Sequence, residues 1–284
     1  MSFEKGRAMP LDYQPVTYPG SVLRFRGPLA DLSKPHVLCL GGTETFGRFL
    51  PAPYPALLAG RLGDAVTNMG VASAGFDVIL RDPAISAAAR TARAIVLQVP
   101  CAANMTNRFY AVHPRRNDRF VKAGAMLRTI YRDVDFTEFH FTRHLLDHLK
   151  TMSPDRFAIL RDELQAAWRA RMRAFLAEAP APVHLLWISR RTPDTAEPEK
   201  GLGADPLFVT RAMLEDAAAD AASLSIVTDP RGGAARPATG MFFAPREEAA
   251  AGVLPGPGAH GAACAELVPR LGGAGATSAR SGSA

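Results

Sequence analysis

Short apolar runs alternate with amphipathic segments along most of the chain, and this alternation predicts an α/β fold. The run at 94–99 is apolar throughout, which is typical of a strand buried on both faces of a sheet. Amphipathic segments fill the intervals, so we expect a parallel sheet joined by right-handed helical crossovers. The predicted strands are 36–41, 65–71, 94–99, 183–189 and 224–228.

Five strands of this kind favour a flavodoxin-like three-layer sandwich with the strand order 2-1-3-4-5. In that order, the ends of strands one, two and three form one cleft beside the point where the strand order reverses. Ser153 followed by Pro154 is typical of a helix cap and first turn, and Pro83 predicts a bend. The predicted helices are 54–62, 76–93, 121–132, 138–150, 154–179, 207–222 and 261–271.

Composition changes along the chain outline a single α/β domain over residues 35–271. Residues 1–34 are rich in Pro, Tyr and Gly and predict an extended arm, whereas 272–284 are Gly, Ala and Ser and predict a disordered tail. Residues 100–152 predict a helical insertion. A chain of 284 residues with 48% hydrophobic content is long enough to bury one sizeable core.

Charge and cysteine content narrow the range of partners. The net charge of +6 comes from arginines that are scattered rather than gathered into one block, so we expect no nucleic-acid partner. Cys39, Cys101 and Cys264 lack metal-ligand or disulfide spacing, and we expect neither a metal nor another cofactor. The sequence shows no signal core and no run of the ~18 apolar residues that span a membrane, so we expect a cytoplasmic protein.

The most informative stretch is 37–47, where an apolar run ends in a glycine-rich turn that carries hydroxyl groups. The turn Gly-Gly-Thr-Glu-Thr-Phe-Gly resembles the first block of the SGNH (GDSL) hydrolases, Gly-Asp-Ser-x-Thr-x-Gly. Gly42 replaces the family's Asp, and Thr43 replaces its nucleophilic Ser. The resemblance implies that Thr43 is the nucleophile or positions a water. The simpler alternative is that Thr43 and Thr45 cap the following turn.

Three further blocks of that family have partial counterparts. Gly70 takes the place of a glycine whose N–H faces the oxyanion, and Asn104 that of an asparagine that donates to it, with Asn107 as a weaker match. His260 lies where the family has its general base, ahead of the last helix, but Pro257 replaces the accompanying Asp. The resemblance implies that His260 is the base. Alternatively, it is a histidine at a helix start with no catalytic role.

The segment 108–119 carries four arginines, a histidine and a tyrosine after strand three. Guanidinium groups suit phosphate, sulfate or carboxylate groups, so the segment predicts a site for an anionic substrate. The alternative is a network of ion pairs with nearby aspartates. The expected substrate-binding residues are Asn107, His113, Arg115, Arg116 and Arg119.

Three histidines recur at helical spacing in the predicted helix 138–150. His140, His144 and His148 would share one face, as metal ligands can. The spacing lacks the His-Glu-x-x-His pattern, and apolar residues surround the three positions. An amphipathic helix edge is therefore the interpretation we adopt.

Three functions remain open on this evidence. The first is a divergent SGNH-like esterase or acyltransferase that acts on an anionic or carbohydrate-linked ester. The second is a non-catalytic ligand-binding module of the same fold, which the missing carboxylates favour. The third is a sulfo- or phosphotransferase that uses the basic segment, although the turn at 41–47 contains no Lys. The chain also resembles bacterial proteins that share the Gly-Gly-(Ser/Thr)-Glu-Thr turn and the His-Pro-Arg-Arg-Asn-Asp-Arg segment.

Overall fold

A computed structural model describes residues 11–229 and 239–272 of the chain. Five parallel strands form the central sheet in the order β2-β1-β3-β6-β7. Numbered within this sheet alone, that is the predicted order 2-1-3-4-5, which is confirmed. The strands are β1 His36–Gly41, β2 Val66–Gly70, β3 Ala92–Gln98, β6 Val183–Ser189 and β7 Ser223–Thr228.

Helices cover both faces of this sheet, as the three-layer arrangement requires. Alternate residues of β1 enter different cores: Leu38 and Leu40 face one layer, and Val37 and Cys39 face the other. The helices are α1 Thr43–Phe46, α2 Tyr54–Leu62, α3 Phe76–Arg81, α4 Pro83–Thr91, α5 Ala125–Ile130, α6 Thr142–Met152, α7 Pro154–Glu178, α8 Arg211–Ala218, α9 Glu248–Gly252 and α10 Pro257–Gly272.

The segment 100–152 differs from the predicted helical insertion, because it contains an antiparallel hairpin. Its strands are β4 Tyr110–His113 and β5 Arg116–Ala123, so the predicted helix 121–132 was wrong at its start. The inward residues of β5 are Asn117, Phe120 and Ala123, three positions apart. Irregular register in this hairpin produces that spacing, which imitates helical periodicity.

The predicted helix 76–93 is two helices. The Asp82 side chain accepts hydrogen bonds from the N–H groups of Ala84 and Ile85 and so caps α4, while Pro83 occupies its first position. The predicted helix 207–222 begins later than expected, because Thr210 caps it and α8 starts at Arg211.

The described part of the N-terminal segment packs on the domain. Val16 and Phe25 form an isolated antiparallel bridge, and Tyr18, Leu23 and Phe25 are buried in the core. Residues 1–10 and the predicted tail from 273 onward lie outside the described residues. None of the helices in 11–229 and 239–272 has the length and apolarity that crossing a bilayer requires.

Candidate active site

The turn between β1 and α1 lies at the carboxyl edge of the sheet and is packed too tightly for side chains at two of its glycines. A Cβ on Gly41 would lie 2.2 Å from Thr45 Oγ1 and 2.5 Å from Gln98 Oε1. Gly47 ends α1 with φ of 76°, a left-handed conformation that favours glycine. Gly41 and Gly47, which match the first and last glycines of the family's block, therefore have a local steric reason.

Gln98, the last residue of β3, organises this turn through its side-chain amide. Its Oε1 accepts the N–H groups of Gly42 and Thr45, both at 3.0 Å, and the Thr45 hydroxyl at 2.6 Å. Thr45 Oγ1 also lies 3.0 Å from the Tyr54 hydroxyl. The Gln98 Nε2 donates to Glu44 Oε2 at 2.6 Å. One amide thus fixes the backbone of the turn and the position of the Glu44 carboxyl.

Thr43 presents its hydroxyl to the neighbouring strand end. The N–H of Ser73, three residues after β2, donates to Thr43 Oγ1 at 3.1 Å. Ser73 has φ of 62°, a left-handed conformation that costs a non-glycine residue about 1–3 kcal/mol. The chain therefore holds a strained turn that points a backbone N–H at the hydroxyl expected to react.

Gly70, expected to supply that N–H, lies close to the turn but uses its own N–H elsewhere. The N–H of Gly70 donates to Asn68 Oδ1 at 2.9 Å. A Cβ on Gly70 would lie 2.3 Å from the Phe46 N, so this glycine allows β2 to approach α1. The role of the Ser73 N–H could not be predicted from the sequence, because a serine does not indicate a left-handed backbone conformation. The run of small residues at 72–75 indicated only that a turn follows β2.

Glu44 points into a cleft of about 1330 Å³ at the carboxyl edge of the sheet. Burial raises the pKa of the Glu44 carboxyl above its usual range, and the charge of Asp205 adds to the rise. Hydrogen bonds from its own N–H and from Gln98 partly offset this effect. Ser189 and Thr228, the last residues of β6 and β7, also line the cleft. A carboxyl of raised pKa in a cleft is a candidate for proton transfer.

One side of the cleft is formed by residues 190–210, and ion pairs connect this segment to α6, α7 and α8. Exposed pairs of this kind contribute up to about 1 kcal/mol each, so their main effect is to position this segment. The pairs are Arg143–Asp205 at 3.0 Å, Arg161–Glu197 at 3.8 Å and Arg211–Asp194 at 2.5 Å.

His260 is buried in α10, with 1% of its surface exposed, rather than presented to the turn. Its Nδ1 accepts the N–H of Tyr54 at 3.1 Å, and its ring stacks on the Tyr54 ring. Burial lowers the pKa of His260 to about 3, partly offset by the charge of Asp229. No hydrogen bond between described residues joins His260 to Thr43. Asp229 directly follows β7, and its charge raises the pKa of His260. The carboxylate that acts on His260 is therefore Asp229, because position 257 is a proline.

Asn104 lies beside the cleft but not at Thr43. Its Oδ1 accepts the Thr142 hydroxyl at 2.7 Å, and it lines a smaller cleft of about 560 Å³ that shares Arg143 and Asp205 with the larger one. Asn107 has a local role, since its Oδ1 accepts the N–H groups of the two residues that follow Arg108.

Three arginines of the basic segment lie on the β4–β5 hairpin, Arg108 precedes it, and none of the four lines either cleft. Arg116 pairs with Asp118 on the same strand at 3.0 Å, and the Arg119 guanidinium stacks over Phe141 at 4.9 Å. Within the described part of the chain, only Arg116 of these two arginines forms the ion pair that the alternative describes.

Two other expected residues, Arg115 and His113, lie at the turn of the hairpin. The N–H of Arg115 donates to His113 Nδ1 at 3.3 Å, and the Arg115 side chain is exposed. Of the three histidines at helical spacing, His140 precedes α6 and His144 and His148 lie on it. Within the described ranges, no group of three His, Cys, Asp or Glu side chains is arranged to hold a metal.

Comparison with known proteins gives one family and several distant structures. A family model described as "Domain of unknown function (DUF6473)" matches residues 1–274. A catalytic mutant of the acetylxylan esterase Axe2 from Geobacillus stearothermophilus is similar at 13% identity and a TM-score of 0.38, covering 84% of this chain and 94% of that one. A lipase from a goat rumen metagenome is similar at 12% identity and a TM-score of 0.32, covering 84% and 97%. No functionally curated protein matches the sequence.

Proposed function

The chain belongs to the DUF6473 family, and we propose that it hydrolyses or transfers an acyl ester at the turn that follows β1. The observation that carries the proposal is the hydrogen bond from the Ser73 N–H to the Thr43 hydroxyl. Attack on a carbonyl group needs a nucleophile and a donor for the developing oxyanion, and Thr43 and the Ser73 N–H can supply these two groups. Both groups are partly exposed, so a substrate can reach them.

In the proposed reaction, Thr43 Oγ1 attacks the carbonyl carbon of the ester. The Ser73 N–H, which donates to the hydroxyl in the resting site, then donates to the carbonyl oxygen as negative charge develops there. The leaving alcohol departs with the proton that the threonine hydroxyl has lost. Water or a second alcohol releases the acyl group from Thr43, which distinguishes hydrolysis from transfer.

The cleft next to the turn supports an anionic or carbohydrate-linked substrate. Arg143, Arg190 and Arg211 line it together with Asp194 and Asp205, and such side chains suit a ligand with many polar groups. A second anion site remains a prediction, and it would be formed by Asn107, His113, Arg115, Arg116 and Arg119. If the anionic group of the substrate binds in the cleft, this second site is not needed.

The test is hydrolysis of short-chain p-nitrophenyl esters and acetylated sugars. We expect Thr43→Ala to lose about 100-fold or more in kcat/KM. Thr129→Ala, which removes an exposed hydroxyl on α5, is the matched control and is expected to leave the rate unchanged. His260→Ala tests the base that the sequence resemblance implies. Full activity of Thr43→Ala would contradict the proposal.

A second candidate is a ligand-binding module without turnover, and the placement of His260 favours it. Its Nδ1 is occupied by the Tyr54 N–H, and no described imidazole hydrogen-bonds to Thr43. This candidate predicts that a compound from the same panel raises the melting temperature of the wild type but is recovered unchanged.

A further inference from the structure

We propose that Glu44 is the acid–base residue of this site, a role that rests on the proposed function. Glu44 directly follows Thr43, lines the large cleft and accepts a hydrogen bond from the Gln98 amide. Glu44 takes the proton of the Thr43 hydroxyl and returns it to the leaving alcohol. This assignment supplies the proton acceptor that the position of His260 leaves missing.

The orientation of the Gln98 amide determines which oxygen of Glu44 can carry a proton. Gln98 Oε1 receives three donors, two N–H groups and the Thr45 hydroxyl, so the amide nitrogen has to face Glu44. Glu44 Oε2 is therefore an acceptor at 2.6 Å from Gln98 Nε2. This hydrogen bond disfavours a proton on Oε2, so the proposal places the transferable proton on Oε1.

Gly42 leaves open the space between the carboxyl and the turn that holds the Thr43 hydroxyl. A Cβ on Gly42 would lie 3.6 Å from Glu44 Oε2 and 3.3 Å from the carbonyl oxygen of Ala74, the residue after Ser73. Glu44 Oε2 and the Ser73–Ala74 turn therefore both lie within 4 Å of that point. In the resting site, Ser73 holds the hydroxyl and Gln98 holds the carboxyl, and the bound ester lies between them.

The proton balance closes within these groups. Ionised Glu44 accepts the proton of Thr43 Oγ1 as the bond between that oxygen and the carbonyl carbon forms. The bond to the leaving oxygen breaks, and Glu44 donates the same proton to that oxygen. Water repeats the sequence on the acyl-threonine: its proton passes to Glu44 and then to Thr43 Oγ1, which restores the site.

Charged groups of both signs line the cleft around Glu44. Asp205 raises the pKa of Glu44, whereas Arg143 and Arg190, which line the same cleft, are cationic. Arg143 pairs with Asp205 at 3.0 Å. Because burial dominates, we expect the acidic limb of the pH–rate profile to lie above the usual range of a glutamate.

The experiment compares pH–rate profiles of the full-length wild type, Thr43→Ala, Glu44→Gln and Glu44→Asp on the best ester of the panel. Glu44→Gln is expected to lose about 100-fold or more in kcat together with the acidic limb. Glu44→Asp, which retains an acid one methylene further away, is expected to keep that limb at a reduced rate. Glu178→Gln, an exposed glutamate at the end of α7, is the matched control.

The outcomes separate this inference from the function on which it rests. An active wild type, an inactive Thr43→Ala and a Glu44→Gln with the wild-type rate and pH profile would overturn the role of Glu44 alone. A wild type without turnover would overturn both. If Glu44→Gln melts at a lower temperature than the wild type, Glu44→Asp decides: a profile without an acidic limb overturns the inference.

Discussion

At the scale of single residues, Gly42 and Gly70 flank the same turn but allow different substitutions. Gly42 has φ of −92° and ψ of −142°, and an added Cβ would meet Ala74 O at 3.3 Å and enter the space beside Glu44. Gly70 would place a Cβ 2.3 Å from the backbone of α1. Gly42 therefore keeps space open for a substrate, whereas Gly70 allows the close packing of β2 against α1.

We predict that Gly42→Ala loses less stability than Gly70→Ala but loses about tenfold or more in kcat/KM on the best ester, because the methyl group narrows the space for the acyl group. Gly70→Ala is expected to lose about 1–3 kcal/mol of stability through overpacking. Thermal melting and ester hydrolysis of both variants check this. Equal activity of Gly42→Ala and the wild type would show that the acyl group binds elsewhere.

His260 gives the fold a pH dependence whose sign follows from its lowered pKa of about 3. The unfolded chain binds a proton on this histidine near pH 6.5, and the folded chain does not, so stability falls as the pH drops below about 6.5. We predict that this group removes about 2 kcal/mol of stability between pH 7 and pH 5. Urea denaturation at the two pH values measures the loss.

The comparison variant for this prediction is His260→Gln, which cannot titrate. It is expected to be less stable than the wild type at pH 7, with a difference that shrinks towards pH 5. His140→Gln changes an exposed histidine and is expected to keep the wild-type slope. If the wild type and His260→Gln lose stability in parallel, the buried ring is not the cause.

Thr43, His260 and Gly70 could be selected from the sequence because hydroxyl, imidazole and glycine at set places in the chain imitate a known pattern. Gln98 and Ser73 could not be selected in this way. Gln98 acts on Glu44 across 54 positions of sequence, and Ser73 acts through a backbone N–H and a left-handed φ. Both effects arise only when β2 and β3 flank β1 in the sheet.

At the scale of elements, the β4–β5 hairpin supplies a cap for a helix that has none of its own. Gly75 precedes α3 and has no side chain, but Asn117 Oδ1 of β5 accepts the N–H of Gly75 at 2.8 Å and that of Val78 at 3.2 Å. Asn117 Nδ2 donates to His113 O at 3.0 Å, and its N–H donates to Ser73 O at 3.1 Å. The hairpin thus holds both the helix start and the strained turn.

We predict that Asn117→Ala lowers the free energy of unfolding by about 3 kcal/mol, because it leaves buried N–H groups without acceptors. Lys122→Ala, an exposed change on the same strand, is the control and is expected to stay within about 0.5 kcal/mol of the wild type. Urea denaturation of both variants measures this. A small loss for Asn117→Ala would mean that water replaces the amide at the start of α3.

Burial pattern explains both why the central strands could be predicted from the sequence and why the hairpin strands could not. Central strands such as β6 are buried on both faces, so an uninterrupted apolar run identifies them. In β5, the inward residues recur every third position because the register is irregular, and one of them is the polar Asn117. Neither the spacing nor the composition of that segment indicates a strand.

At the scale of the whole molecule, the N-terminal segment belongs to the same folded unit as the site. Arg26 donates to Gly47 O at 2.9 Å and to Pro51 O at 2.8 Å, and the Phe49 N–H donates to the Tyr13 hydroxyl at 2.8 Å. These contacts lie directly after the α1 turn that carries Thr43 and Glu44. The alternation of strands and helices predicted the sheet order, but it contains no information on where an irregular arm packs.

We therefore predict that Phe25→Ala, which empties a fully buried position of the arm, costs about 3–5 kcal/mol of stability. Val22→Ala removes a side chain that is 72% exposed in the same segment and is expected to cost less than about 0.5 kcal/mol. Because the arm and the sheet share one core, each variant should unfold in a single transition in urea. A separate early transition of Phe25→Ala, with ester hydrolysis unchanged, would show instead that the arm unfolds independently and that the turn keeps its shape without the hydrogen bonds of Arg26 and Tyr13.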